Sequence, residues 1–105
     1  VDADQRRALR IAVDLPARYR SVTSSVDGRA DNISQDGMRF VGRAPDGDTG
    51  RLVVEIDLPD SDAPLAVDAE ICWSSSRALG IRFTRVEKLA RRRLANFVIR
   101  RACSY

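Results

Sequence analysis

The sequence predicts a mainly β fold, a small closed barrel of short antiparallel strands with one helix at its carboxyl end. Apolar and polar residues alternate with a period of two in several short runs. Stretches rich in Gly, Pro, Asp and Ser separate those runs, and at Val86 the period changes to that of a helix. Strands with frequent turns followed by a single helix predict a barrel capped or flanked by that helix.

The elements follow in order. In residues 9 to 22, Leu9, Ile11, Val13 and Leu15 share one face, with Arg10, Ala12 and Asp14 on the other. Pro16 marks a bend or an edge position, and Tyr19 continues the strand. Ser21 to Gly28 reads as a polar turn region whose hairpin signal is Asp27-Gly28. Arg29 to Ser34 forms a short strand, Gln35-Asp36-Gly37 a tight turn, and Met38 to Val41 another strand. A loop over 44–50 leads to residues 51–58, with Leu52, Val54, Ile56 and Leu58 inward and Glu55 and Asp57 outward. After an Asp- and Pro-rich turn, Leu65, Val67, Ala69, Ile71 and Trp73 share one parity. Ser74 to Arg77 turns the chain, and Leu79, Ile81 and Phe83 form the inward face of a last strand. Val86, Leu89, Ala90, Leu94, Phe97 and Val98 then recur at helical spacing, enough for about four turns. The barrel is thus expected over 9–84 and the helix over 86–102, in a single domain covering 1–105, with no internal repeat.

Composition narrows the function. A chain of 105 residues holds one core. Beginning at Val1 rather than Met, it reads as a trimmed chain or a piece of a longer protein. No apolar run approaches the ~18 residues of a membrane span, and no signal peptide is visible, so a cytoplasmic location is expected. Cys72 and Cys103 lack the spacing of a disulfide framework and are expected to be reduced. With no histidine, no nucleophile beside a base and no phosphate-cradling loop, neither an enzyme nor a metal site is expected. The net charge is +3, and Lys88 is the only lysine among 18 basic residues. Arginine meets phosphate oxygens and the guanine edge with a planar fork, which lysine lacks. A GC-rich coding bias explains so much arginine but not its clustering.

Two clusters stand out. Gln5-Arg6-Arg7-Ala8-Leu9-Arg10 places three guanidiniums just before or at the first strand, where a hinged basic segment can fold over an anionic ligand. In Asn32-Ile33-Ser34-Gln35-Asp36-Gly37, Asn32 and Ser34 share a parity, so both are expected to face outward while Ile33 enters the core. The Asn32 amide offers donors and an acceptor for a base edge, Ser34 a hydroxyl for a phosphate oxygen, and Gly37 close backbone approach. Taken singly, the first reads as a solvated basic face and the second as an ordinary turn.

Together, an Arg-x-x-x-Arg spacing (Arg6, Arg10) and an Asn-x-Ser-x-x-Gly spacing (Asn32, Ser34, Gly37) resemble the PilZ domain family. The run Arg10 to Pro16 resembles that family's first strand, and Leu79-Gly80-Ile81-Arg82-Phe83 its late strand before a terminal helix. The resemblance implies a six-stranded antiparallel split barrel with a carboxyl-terminal helix, and a receptor for cyclic di-GMP with no cofactor. It implies that Arg6 and Arg10 grip phosphates and guanine Hoogsteen edges with Arg7 assisting. Asn32 would bind a guanine edge, Ser34 a phosphate or nearby polar atom, and Gly37 would leave room for the base. Asn32 stands where aspartate is the alternative, so the site has one negative charge fewer; Asp31 precedes it. Trp73 is either a half-buried barrel plug, by its parity, or a stacking face for guanine at a strand end. Gln5 holds a position linked to binding one ligand or an intercalated pair, and Arg39 could extend the basic face. The run Arg91-Arg92-Arg93 reads as solvating the helix and complementing its carboxyl-half dipoles.

A downstream protein partner or a fused effector domain would read the bound state. Two other classes compete: a small basic barrel that binds nucleic acid, and a PilZ-like module that binds only protein. Against the first, Phe40, Phe83 and Phe97 fall on core parity rather than on a stacking face. Against the second, the arginine motif is intact.

Overall fold

The computed structural model describes residues 10–45, 50–59 and 63–103. Six strands, β1 (Ile11–Arg20), β2 (Ser25–Ile33), β3 (Gly37–Val41), β4 (Arg51–Ile56), β5 (Leu65–Ser74) and β6 (Ala78–Arg85), precede one helix, α1 (Lys88–Ala102). All neighbouring strands are antiparallel in the order β1-β2-β3-β6-β5-β4, and β1 closes the barrel by pairing with β4 as well as β2.

The period-two pattern explains the core. Leu15, Ala17 and Tyr19 of β1, Leu52, Val54 and Ile56 of β4, and Leu65, Val67 and Ala69 of β5 are all buried. Leu79, Ile81 and Phe83 of β6 join them, and α1 adds Leu94, Phe97 and Val98. Those three helical positions stand at i, i+3 and i+4, so they form one stripe, which packs mainly against β5 and β1. Near the core's centre, the Tyr19 and Phe40 rings meet edge to face with centroids 5.1 Å apart. The Tyr19 hydroxyl donates to the Arg43 carbonyl at 2.5 Å, so a buried phenol keeps a partner.

Three sequence expectations change. The first reversal occurs at Ser21 to Ser24, not at Asp27-Gly28, which lie within β2 opposite Arg18 and Ala17. The reason is local: the Ser21 hydroxyl accepts from the Ser24 N–H at 3.0 Å and the Thr23 N–H at 3.3 Å, supplying the acceptor a tight turn needs. Leu89, expected on the helix's apolar face, is 75% exposed. It precedes Leu94 by five residues, about 140° around the helix, and so leaves the stripe. Arg91, Arg92 and Arg93 lie in the amino-terminal half of α1, and the last turn holds Arg100 and Arg101 instead. The run therefore does not complement the carboxyl-end dipole.

Tyr19→Phe keeps the ring contact with Phe40 and removes the donor to Arg43. The expected loss is about 1–2 kcal/mol, seen as a lower urea midpoint at unchanged slope. An unchanged midpoint would mean that this hydrogen bond contributes nothing net.

Candidate functional site

Two bulges build the site. Between β2 and β3, Ala30 pairs with Phe40 and Asn32 with Arg39, which leaves Asp31 as an extra residue. Ala30 and Ile33 are both buried, while Asp31 and Asn32 between them are both partly exposed. The bulge thus lets two consecutive side chains leave the barrel's outer face. Between β5 and β6, Ile71 pairs with Ile81 and Trp73 with Gly80, so Cys72 is the extra residue. Parity beyond Cys72 is reversed, and Trp73 is 48% exposed rather than plugging the barrel. Its indole lies against Gly80, where an added Cβ would fall 2.0 Å from the indole Nε1.

Arg10, just before β1, reaches across the sheet and donates from Nη1 to Asn32 Oδ1 at 2.8 Å. Arg39, opposite Asn32 on β3, pairs with the Asp31 carboxylate. On β6, Arg82 pairs with Glu70 of β5. Arg10, Asn32, Asp36, Gly37, Arg39, Trp73 and Arg82 share one open depression of about 370 Å³. That volume is at the low end of ordinary ligand sites, ~300–1,000 Å³. Of its three guanidiniums, Arg39 and Arg82 face carboxylates while Arg10 faces a neutral amide. Exposed ion pairs of this kind contribute only ~0–1 kcal/mol, so an anionic ligand can displace them.

The rest of the Asn-Ile-Ser-Gln-Asp-Gly segment acts through the backbone. Ser34 is completely buried, which corrects the expectation that it faces outward beside Asn32. β2 ends at Ile33, and the chain turns there instead of continuing its alternation. The Ser34 Oγ accepts from the N–H groups of Asp36 at 3.1 Å and Gly37 at 3.2 Å, and Ser34 N–H donates to the Gly37 carbonyl at 2.8 Å. Phe83 N–H donates to the Asp36 carbonyl at 2.8 Å, which ties this turn to β6. Gly37 is buried, and an added Cβ would sit 2.3 Å from the Ile81 carbonyl oxygen. The close approach of β3 to β6 therefore already requires glycine at this position.

Gln5, Arg6 and Arg7 lie outside the described residues. Sequence reasoning did not single out Gly80 and Arg82 for the site. Arg82 has a legible signal, an outward position between the inward Ile81 and Phe83; the role of Gly80 depends on the bulge opposite it. Cys72 and Cys103 are both free and exposed.

Residues 4–100 match the family model described as the PilZ domain. The chain belongs to the PilZ domain family. The barrel and terminal helix expected of a PilZ domain are those observed, and solved structures share them. The PilZ domain of YcgR from Escherichia coli, a structure with c-di-GMP, is similar with a TM-score of 0.73 and 18% identity, over 90% of this chain and 89% of that one. The Bacillus subtilis inhibitor of motility (MotI/DgrA) is similar with a TM-score of 0.77 and 19% identity, over 92% of this chain and 51% of that one. This PilZ chain thus spans about half the length of the motility inhibitor. The PilZ domain of CeSA from a cellulose-synthesizing bacterium has a TM-score of 0.65 and 20% identity, covering 88% and 92% of the two chains. At such identities the likeness is one of fold. Among curated proteins there is no match.

Ser34→Ala leaves two turn N–H groups without their acceptor and is expected to cost about 1–3 kcal/mol, measured by urea unfolding without ligand. Wild-type stability with a selective loss of ligand affinity would instead assign the hydroxyl to the ligand.

Proposed function

We propose that this PilZ domain is a cytoplasmic receptor for cyclic di-GMP that transmits the bound state to a protein partner or an adjacent domain. The observation that carries the reading is the Arg10–Asn32 contact beside the exposed Trp73 in one open depression. A cyclic dinucleotide presents anionic phosphates, guanine edges rich in acceptors, and flat base faces. Arg10, matched among the described residues by an amide alone, leaves Asn32 for a phosphate or for guanine O6 and N7. The freed Asn32 amide reads a base edge. Trp73 stacks on a base, and Arg39 adds a further guanidinium when it leaves Asp31. Ser34 and Gly37 serve by holding the turn. Arg6 and Arg7 precede Arg10 by four and three residues and bring further positive charge over the ligand. Closure of this segment onto the barrel is the event a partner would sense. Membership of the family and the similarity to a YcgR domain solved with c-di-GMP support the reading.

We read the role as binding rather than catalysis, because guanidiniums, an amide and an indole recognise a nucleotide but do not activate a nucleophile. No described helix is long and apolar enough to cross a membrane.

Titration calorimetry with cyclic di-GMP is expected to show binding by the wild type. Arg10→Ala should weaken it by about 10- to 100-fold, the loss of a charge-assisted contact. Absence of heat from the wild type at high micromolar ligand would overturn the receptor reading.

Trp73 is the only tryptophan, so its fluorescence reports on one position. Ligand stacking should change its intensity or emission maximum. An unchanged spectrum at calorimetric saturation would remove Trp73 from the ligand contacts.

A further inference from the structure

The chain's positive charge is unevenly placed. Lys88, Arg91, Arg92, Arg93, Arg100 and Arg101 give α1 a formal +6 with no carboxylate, against +3 for the whole chain, leaving −3 elsewhere. On the barrel, five of the described arginines face carboxylates: Arg18 with Glu55 and Asp57, Arg20 with Glu55, Arg29 with Asp14, Arg39 with Asp31, and Arg82 with Glu70. On α1, neither Lys88 nor Arg92 makes a salt bridge among the described residues. Helix stability does not account for this placement. Lys88 to Arg93 occupy the amino-terminal half, where the dipole disfavours cations, and the first turn contains no acidic residue.

Two large aliphatic side chains lie among these cations, Leu89 at 75% and Ile99 at 52% exposure. At about 100° per residue, Lys88, Leu89, Arg92, Asn96 and Ile99 share an arc opposite the buried stripe of Leu94, Phe97 and Val98. We propose that this outward face of α1 is a peripheral docking surface for an anionic phospholipid bilayer. A straight helix lying on a plane brings all five side chains to it together. Cations then meet phosphate headgroups, and isolated aliphatic groups enter the acyl boundary. A folded protein partner fits less well, because Leu89 and Ile99 are ten residues, about 15 Å, apart and form no contiguous anchor. Nucleic acid fits less well, because the helix's one aromatic, Phe97, is buried and offers no stacking face. The negative balance of the remaining chain turns the barrel away from the same surface.

Sedimentation of the whole chain with vesicles tests this, and without nucleotide it is independent of the receptor reading. Vesicles of phosphatidylcholine with added phosphatidylglycerol should capture the protein at low salt, and pure phosphatidylcholine should not. Lys88→Ala and Arg92→Ala should each lower the partition coefficient about fivefold, and together about 25-fold. Leu89→Ser with Ile99→Ser should weaken capture further. Both cations are exposed, and circular dichroism checks that the variants stay folded. Equal capture by both vesicle types, or unchanged capture of the double alanine variant, overturns the proposal. So does a failure to bind vesicles with retention on polyglutamate, which would assign the face to an acidic polypeptide.

Discussion

Closing a six-stranded antiparallel sheet into a barrel requires bends that a regular ladder does not have, and bulges supply them here. The pairing shifts by one residue between Ala12 and Leu15, at Asp31, between Asp68 and Ala69, and at Cys72. Each shift concentrates twist and curvature, and those at Asp31 and Cys72 also reverse which residues face out beyond them. Asn32 reaches the outer surface with Asp31 because of the second, and Trp73 reaches it because of the fourth. The constraint that closes the barrel is thus the one that assembles the depression around Arg10.

That coupling explains what the sequence could and could not reveal. Strands whose alternation is unbroken, such as β4 with Leu52, Val54 and Ile56, are legible residue by residue, as is the Leu94–Phe97–Val98 stripe of α1. The extent of β2 was less so. Asp27-Gly28 carries a strong turn signal, yet the Ser21 hydroxyl closes an earlier turn and leaves those residues in a ladder with β1. Trp73 stood on the core parity of its strand, and no local pattern marks Cys72 as the residue that breaks it. Ser34 shared a parity with Asn32 only if the strand continued past Ile33. The spacing from Asn32 to Gly37 was visible as a motif, but its division into an outward amide and an inward turn required the fold. Arg10 was legible as an outward cation; its pairing with Asn32 follows from the β1–β2 register.

Electrostatics divides the arginines into three groups by what faces them. Arg18 is held by Glu55 and Asp57, and the hydrogen bond to Glu55 foremost raises its pKa above the ordinary arginine value. It serves the β1–β4 seam that closes the barrel. Arg39 and Arg82 sit in pairs exposed enough for an anion to compete for them. Among the described residues Arg10 faces an amide rather than a carboxylate, so a phosphate gains the most by meeting it. Arginine content alone distinguishes none of these. The partner of each guanidinium, set by strand register, does.

The two regions proposed to meet ligands are joined through the same strands. α1 packs mainly on β5 and β1, and these carry Trp73 and follow directly from Arg10. A ligand can move the helix only if it binds two placements of those strands with different affinity. Gripping Arg10 at the start of β1 and stacking on Trp73 near the end of β5 would bias both supports of the helix together. The barrel between them is closed and densely packed around Tyr19 and Phe40, so strain at the strand ends is not easily absorbed in its middle. A shift of α1 against the sheet, rather than a deformation of the barrel, is therefore the mechanically cheaper response, and it would carry the cationic face of the helix with it.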